Sequence, residues 1–235
     1  MLLVLFAPPV WCAESCPAGT LYLTLDSGSM SQAESIAHTL QTHHIKATFF
    51  VANEPTLQHK TALNSDWGYY WRARLTEGNK IGNHTASHLV AKKDLDPDHT
   101  LFRSLKGQTI IWDQQQFCQD LQKNDQLFFN LTHQHLNTLW RAPGGRTTPN
   151  TKRWAKACGY PPSVGWSKAG FLGDELPSDR WPNSVLLKQA LKRIRDQDIL
   201  MMHLGIRSRR QPFADVFEPL MVGLQEKGFC FATLP

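Results

Sequence analysis

Short apolar segments alternate with longer amphipathic segments along the chain, and this alternation constrains its fold more than any other feature. Residues 21–25 (LYLTL) and the apolar residues 47–51 (ATFFV) are predicted strands, and residues 30–43 between them place apolar side chains at helical spacing. A strand, a helix and a second strand in this order form one βαβ unit. Strands that alternate with helices predict a parallel sheet covered by helices.

The same pattern continues towards the C-terminus. Further strands are predicted at residues 80–83, 139–141, 163–166, 199–203 and 229–233. Further helices are predicted at residues 113–129, 150–157, 184–195 and 215–226. Because no repeat, low-complexity segment or Pro/Gly/Ser linker interrupts the 235 residues, we expect residues 14–235 to form a single domain.

Polar side chains stand at the carboxyl ends of several predicted strands. They are Asp26 with Ser27, His84, Arg141, Trp166 and His203. In (β/α) barrels the active site lies at the rim formed by these strand ends, whereas an open parallel sheet binds its ligand at a single switch point. Five such positions favour an α/β fold of the (β/α) barrel type, with fewer than eight strands.

The N-terminus carries a strongly apolar run, residues 1–10 (MLLVLFAPPV). The run is too short to span a bilayer and contains Pro8 and Pro9, so no transmembrane span is expected. It resembles the apolar part of a secretory signal, although no Lys or Arg precedes it, and residues 1–13 are therefore predicted to be an export segment. A buried first strand is the alternative. Export would place the mature chain in the periplasm or outside the cell.

Removal of residues 1–13 would leave an even number of cysteines. The four are Cys16, Cys118, Cys158 and Cys230. Two disulfides in an oxidising compartment fit this number, but four scattered cysteines in a chain of this size also fit buried free thiols.

Two histidines in the segment His84-Thr85-Ala86-Ser87-His88 provide the sharpest local signal. At positions i and i+4 of a helical turn both imidazoles would face the same way, as one divalent cation requires. Histidines that merely face solvent are an equally good interpretation, and no Glu follows His84 as in the common zinc protease motif.

Three further residues could carry chemistry. Asp26 closes the first strand, where it could be a carboxylate at the rim or the N-cap of the next helix. Arg141 also ends a strand and, if buried, needs a carboxylate partner, for which Asp26 is the candidate. His203 ends an apolar strand, a position where a lone histidine is more often structural than catalytic.

Five segments occur in order along the predicted strands and loops. They are Thr24-Leu25-Asp26-Ser27-Gly28, Ala47-Thr48-Phe49-Phe50-Val51, His84-Thr85-Ala86-Ser87-His88, Arg141-Ala142-Pro143-Gly144-Gly145 and Ile199-Leu200-Met201-Met202-His203. Together they resemble the successive motifs of the polysaccharide deacetylases, the NodB-homology or carbohydrate esterase family four enzymes. The resemblance extends from about residue 21 to residue 233. It implies a deformed (β/α) barrel and metal-dependent hydrolysis of an acetyl group on a glycan, with N-acetyl favoured over O-acetyl.

The resemblance also implies catalytic roles for matching residues. Asp26 matches the general base, and Arg141 matches the arginine that holds this base. His203 matches the general acid that protonates the leaving group. The backbone N–H of Gly144 matches the position that helps to stabilise the oxyanion.

His84 and His88 match the two histidine ligands of one divalent metal ion, which we expect to be zinc. The family has two successive aspartates where this chain has an aspartate followed by Ser27, so Ser27 stands at the position of a metal-binding carboxylate. A neutral hydroxyl is a poor ligand for such a cation, and metal affinity should fall unless another group substitutes. Asp174 and Glu175 are the candidate substitutes.

Three residues are expected to contact the substrate. Trp166 begins a segment that represents the family's fourth motif only loosely, and it could be either a wall of the groove or a buried core residue. Met201 stands where the family usually has Leu and preserves an apolar pocket for the acetyl methyl group. Gly145 lets a substrate approach the backbone closely.

These expectations combine into an exported, metal-dependent deacetylase that releases acetate from an acetylated glycan or polysaccharide. The alternative is a non-catalytic glycan-binding relative that lost its metal site at Ser27. The joint presence of Asp26, Arg141 and His203 favours the enzyme.

Nucleic acid is not an expected partner. The formal net charge of +5 is mild and decides nothing alone. A basic loop that contains Arg207, Arg209 and Arg210 directly follows His203, where it suits an anionic sugar or a solvated loop better than a nucleic acid.

Overall fold

The computed structural model describes residues 16–58 and 60–235, so the predicted export segment 1–13 lies outside the described residues. The elements, in chain order, are β1 (Gly19–Asp26), α1 (Ala33–Thr42), β2 (Thr48–Val51), α2 (Gly68–Thr76), β3 (Lys80–Asn83), β4 (Val90–Asp94), β5 (Thr100–Arg103), β6 (Thr109–Trp112), α3 (Gln114–Thr132), α4 (Pro149–Ala157), α5 (Asn183–Arg193), β7 (Ile199–His203), α6 (Phe217–Glu226) and β8 (Phe229–Phe231).

The central sheet is parallel, in the order β3-β2-β1-β7, and β8 pairs with the first residues of β1. Alternate side chains of a strand point to opposite faces of its sheet. In β1 this alternation separates the fully buried Leu21, Leu23 and Leu25 from Thr24 and Asp26 on the other face. One face therefore belongs to the apolar core, and the other carries the polar groups of the site.

Helices α1, α5 and α6 cover the apolar face of β1. Ile36 of α1, Leu186 of α5 and Leu220 of α6 belong to the same buried cluster as Leu23. These helices, together with α3 and α4, correspond to the five helices predicted from the sequence, with ends shifted by a few residues. Periodic apolar residues that face a sheet explain why these helices form.

A second, smaller core lies beside the main sheet. The antiparallel sheet β4-β5-β6 contributes Phe102, which packs with Phe117 of α3 and Trp154 of α4. Neither this sheet nor helix α2 was predicted. The sequence of β4, VAKKD, is polar and only partly buried, so it lacks the apolar signal by which the other strands were found.

The barrel does not close. The predicted strands at residues 139–141 and 163–166 are reduced to single contacts: Trp140 forms an isolated bridge to Asn83, and the Val164 N–H donates to the Trp140 carbonyl at 2.9 Å. Pro161 and Pro162 have no N–H with which to extend the pairing. The expectation of an α/β fold with a deformed barrel of fewer than eight strands is confirmed, whereas regular strands at these two places are not.

Two disulfides cross-link the fold. Cys16 pairs with Cys230, which ties the residues before β1 to β8, and Cys118 pairs with Cys158, which ties α3 to the end of α4. The free-thiol alternative is therefore wrong for this structure. Among the described residues, no helix is both long and apolar enough to cross a membrane.

Candidate active site

The carboxyl ends of β1, β3 and β7 meet at one edge of the sheet and bring the candidate residues together. Asp26 ends β1 and pairs in register with His203, which ends β7. His84 directly follows β3, and the Arg141 N–H donates to the carbonyl of the last residue of that strand. Asp26, His84 and His203 therefore lie at strand ends as the sequence predicted, whereas Arg141 follows an isolated bridge and not a strand.

Asp26 and Arg141 form a buried ion pair. Arg141 Nη1 donates to Asp26 Oδ1 at 2.7 Å. Burial favours the protonated acid, but Arg141, followed by His84 and His203, outweighs it and lowers the pKa of Asp26. Asp26 is therefore ionised at neutral pH. It does not cap the next helix, because Gln32 occupies the N-cap position of α1.

Four further contacts fix the guanidinium of Arg141. Nη2 donates to Thr24 Oγ1 at 2.8 Å and to the Gly165 carbonyl at 3.1 Å, and Nε donates to the Val164 carbonyl at 3.1 Å. The guanidinium also lies over the Phe50 ring, 4.3 Å from its centroid. Because its planar fork is held on several sides, Arg141 orients Asp26 as well as neutralising it.

The two histidines meet, but not on a helical turn. Thr85 and His88 have positive φ values of 64° and 48°, so the segment is an irregular loop after β3. The rings of His84 and His88 nevertheless lie with their centroids 4.9 Å apart. The helical expectation was wrong about the backbone, whereas the expected proximity of the side chains is present.

The hydrogen bonds of His84 define its protonation. Its Nδ1 lies 2.8 Å from the Arg141 carbonyl, which can only accept, so Nδ1 carries the proton and Nε2 keeps a lone pair. Nε2 lies 3.6 Å from Asp26 Oδ2. Burial, opposed by the charge of Asp26, lowers the pKa of His84 to about 4, so the ring is neutral. Two lone pairs thus face each other, an arrangement that a nearby cation would stabilise.

The second imidazole also suits a cation. Burial lowers the pKa of His88 to about 4, and its buried Nδ1 has no hydrogen-bond partner within the described residues. Two neutral imidazoles in contact fit two ligand positions of a divalent metal. Across residues 16–58 and 60–235, however, no group of three or more His, Cys, Asp or Glu side chains is arranged to hold a metal. A third ligand is therefore not preformed.

Ser27 binds an acid that the sequence analysis did not identify, Glu54. Its fully buried hydroxyl accepts from the Ala52 N–H at 3.1 Å and donates to Glu54 Oε1 at 3.0 Å. The position of a metal-binding carboxylate in the family pattern is thus a hydroxyl bonded to another carboxylate.

His203 lies beside a different acid. Asp174 Oδ2 accepts from the His203 N–H at 2.7 Å and from its Nδ1 at 3.1 Å. Burial would lower the pKa of His203, but the charge and hydrogen bond of Asp174 raise it to about 9. Asp174 is therefore engaged as the partner of His203. Glu175, the other candidate substitute for the missing ligand, is exposed.

The remaining candidates lie around these groups. Gly144 and Gly145 have left-handed φ values of 62° and 63°, and a Cβ on Gly145 would come within 2.6 Å of the Trp166 ring. Trp166 is half-buried, and its ring lies 5.5 Å from the Arg141 guanidinium carbon. Met201 is 2% exposed and lies on the same face of β7 as His203, two residues away.

The family model described as polysaccharide deacetylase matches residues 13–163 of this chain, more than half of its length. The chain belongs to the polysaccharide deacetylase family. A curated relative from Bacillus cereus, named peptidoglycan-N-acetylglucosamine deacetylase, is 26% identical over 216 residues, which cover 90% of this chain and 84% of the relative.

Solved structures of polysaccharide deacetylase relatives share the fold. An acetyl xylan esterase of family four from Clostridium thermocellum, solved with a cobalt ion, has a TM-score of 0.69 at 18% identity, over 91% of this chain and 87% of its own. A pseudoenzyme of the same family from Bacillus anthracis has a TM-score of 0.66 at 16% identity and covers 93% of this chain. This chain spans 64% of that pseudoenzyme, less than two thirds of its length.

Sequence reasoning missed the residues that support the histidine loop of this deacetylase-family chain. Asp120 accepts from the Ser87 N–H at 3.1 Å and from Ser87 Oγ at 2.6 Å. Asn124, one turn later in α3, donates to Asn83 Oδ1 at 3.0 Å, and that oxygen also accepts from the Thr85 N–H at 2.8 Å. Two polar residues four apart among the buried apolar residues of α3 were the available signal.

Proposed function

We propose that this chain is a metal-dependent deacetylase that hydrolyses acetyl groups, N-acetyl in preference to O-acetyl, on a glycan or polysaccharide. The observation that carries the proposal is the pairing of an ionised, arginine-held Asp26 with a charged His203 at adjacent strand ends. Acetyl hydrolysis needs a base that activates water and an acid that protonates the leaving group. These two residues supply that pair.

Asp26 acts as the general base. Its Oδ1 is occupied by Arg141, while Oδ2 faces the histidine pair and is free to accept a proton from water. The lowered pKa of Asp26 keeps the carboxylate ionised at neutral pH. Arg141 prevents the carboxylate from turning, so the base is positioned before the substrate binds.

His203 acts as the general acid. With a pKa of about 9, its imidazole is protonated at neutral pH and can give a proton to the leaving amine. Asp174 binds Nδ1, so Nε2 is the nitrogen that donates to the leaving group. After the reaction, Asp26 releases its proton to solvent and His203 takes one up, which restores both groups for the next cycle.

His84 and His88 would hold the cation, which we take to be zinc because imidazole nitrogens are among its common ligands. When bound, such an ion polarises the acetyl carbonyl and lowers the pKa of water. The backbone N–H of Gly144, in its left-handed turn, would donate to the developing oxyanion. Trp166 and Gly145 would form a wall of the sugar groove, and Met201 would contact the acetyl methyl group.

An extracellular or periplasmic glycan is the proposed substrate. Two disulfides are typical of proteins outside the reducing cytosol. The Bacillus cereus relative is named for N-acetylglucosamine in peptidoglycan, which supports an N-acetylated polymer of the envelope. An export segment at residues 1–13, followed by a deacetylase domain at 14–235, would deliver the chain there.

Acetate release from a panel of N-acetylated oligosaccharides and O-acetylated xylan tests this function. Asp26→Asn keeps the size of the side chain but removes the base, so the zinc-supplied variant should release acetate about 10²- to 10⁴-fold more slowly while remaining folded by circular dichroism. Near-normal release by Asp26→Asn would place the base elsewhere. If the wild-type chain binds these glycans but never releases acetate, the non-catalytic alternative is correct.

A further inference from the structure

Glu54 is an acid of the site that belongs neither to the Asp26–Arg141 pair nor to the Asp174–His203 pair. It lies three residues after β2, and its carboxylate accepts a hydrogen bond from the buried Ser27 hydroxyl at 3.0 Å. The Ser27 oxygen accepts in turn from the Ala52 N–H, which fixes the direction of the hydroxyl proton. Ser27 therefore holds Glu54 at the edge of the site.

The surroundings of Glu54 are those of the proposed metal site. It follows β2, which runs between β1, ending at Asp26, and β3, followed by His84. In the described part of the chain, Glu54 forms no ion pair with Lys, Arg or His. A half-buried carboxylate thus lies between the strands that lead to Asp26 and His84, without a cation of its own.

The other groups of the site would supply a bound cation with too little negative charge. Arg141 already pairs with Asp26, and the hydrogen bond from His84 Nδ1 to the Arg141 carbonyl leaves a lone pair on His84 Nε2. A divalent cation beside these groups would find no anionic ligand other than Asp26, whose Oδ2 is needed as the general base. Buried charges that lack a partner are costly, so a second carboxylate would be needed to stabilise the bound ion.

We propose that Glu54 is the third protein ligand of the divalent cation held by His84 and His88. The inference rests on the proposed function only in assuming that a cation binds the histidine pair. In the structure, Oε1 accepts from Ser27, so coordination requires the side chain to turn its carboxylate towards the imidazoles. Ser27 then acts as a positioning residue, and the carboxylate comes from a residue 27 positions later in the chain.

Metal binding by the whole chain tests the proposal without reference to activity. We expect Glu54→Gln to weaken Zn²⁺ affinity by about 10- to 100-fold in calorimetric titrations and to change the visible spectrum of bound Co²⁺. Glu175→Gln is the matched control: it removes another acid near His203, but an exposed one, and should change Zn²⁺ affinity by less than about threefold.

A second variant separates loss of a ligand from loss of structure. Ser27→Asp/Glu54→Gln returns a carboxylate to the neighbouring position and should recover most of the Zn²⁺ affinity that Glu54→Gln loses. Wild-type affinity and an unchanged Co²⁺ spectrum in Glu54→Gln would overturn the proposal, as would a wild-type chain that binds neither ion. Zn²⁺ binding that depends on Glu54 in a chain that releases no acetate would support the ligand and refute the deacetylase function.

Discussion

The carboxylate of Asp174 binds both the backbone and the side chain of His203. Its Oδ2 lies 2.7 Å from the backbone nitrogen and 3.1 Å from Nδ1 of the ring. The first bond fixes where the last residue of β7 lies, and the second fixes which ring nitrogen remains free. Because Asp174 is only 2% exposed, its charge acts on the imidazole with little screening by water.

Asp174→Asn should move the basic limb of the pH profile of kcat/KM to lower pH. The pKa of His203 is raised to about 9 chiefly by Asp174, with smaller contributions from Asp26 and Glu175. Without the carboxylate charge we expect this pKa to fall by about 1 to 3 pH units. NMR titration of the imidazole would measure the same change without turnover. A basic limb that stays near pH 9 in this variant would show that His203 is not the acid.

The same pair should make stability depend on pH. His203 has a higher pKa in the folded chain than in the unfolded one, so its stabilising contribution is complete below about pH 6.5 and is lost as pH rises through about 9. The free energy of unfolding should therefore differ more between wild type and Asp174→Asn at pH 6 than at pH 10. Urea titrations at both values measure it, and equal differences at the two pH values would contradict this account.

Much of the fold could be predicted because the elements that build it carry their own periodic signal. β1 and β2 each contain a run of four or five mainly apolar residues. Helices α1 and α6 each carry an apolar stripe that packs against these strands. Helix α2 lacks such a stripe: its sequence, GYYWRARLT, buries Tyr70 and Trp71 beside the charged Arg74. The position of α2 depends on tertiary contacts with residues that are far from it in the sequence.

Some residues of the site could likewise be predicted from the sequence, and others could not. Asp26, His84, Arg141 and His203 could be found because each follows a recognisable strand or segment. Glu54 could not, since only folding brings it to Ser27 across 27 residues. The order of motifs also did not predict that the loop from His84 to His88 is irregular. Its backbone is shaped by hydrogen bonds with α3, a helix that comes later in the chain.

Gly145→Ala should disturb the proposed sugar groove. Its Cβ would lie 2.6 Å from the Trp166 ring, so the indole must move. We expect a raised KM for the glycan and a shifted tryptophan fluorescence spectrum. Gly159→Ala is the matched control, since Gly159 is also left-handed, at φ 87°, but a Cβ there meets nothing within 4 Å. Both variants should lose about 1 to 2 kcal/mol of stability from backbone strain. An unchanged KM in Gly145→Ala would remove Trp166 from the groove.

The two disulfides should contribute unequally to stability. Cys16–Cys230 joins residues 214 apart and Cys118–Cys158 joins residues 40 apart. Loop-closure entropy of the unfolded chain predicts about 5 kcal/mol for the longer loop and about 4 kcal/mol for the shorter. Cys16→Ala/Cys230→Ala should therefore lower the free energy of unfolding more than Cys118→Ala/Cys158→Ala in urea titrations. The reverse order would show that the unfolded-state argument does not govern these bonds.

Asn124→Leu should weaken metal binding although Asn124 touches neither histidine. Its fully buried Nδ2 donates to the Val51 carbonyl at 2.7 Å and to Asn83 Oδ1 at 3.0 Å, which joins α3 to the ends of β2 and β3. Leu has a similar volume but no donor, so each acceptor keeps only one donor: the Thr85 N–H for Asn83 Oδ1 and the His84 N–H for the Val51 carbonyl. The cost should be about 0.5 to 1.5 kcal/mol for each lost bond.

The loop that begins at His84 should then be less well positioned, and Zn²⁺ affinity should fall by about 10- to 100-fold, as is common when groups that orient metal ligands are removed. Asn130→Leu makes the same chemical change on an exposed part of α3 and should leave both stability and Zn²⁺ affinity nearly unchanged. Urea unfolding and calorimetric titration measure the two effects separately. If Asn124→Leu lowers stability but binds Zn²⁺ as tightly as wild type, then the histidine loop holds its geometry without Asn124, and Asp120 and β3 are sufficient to support it.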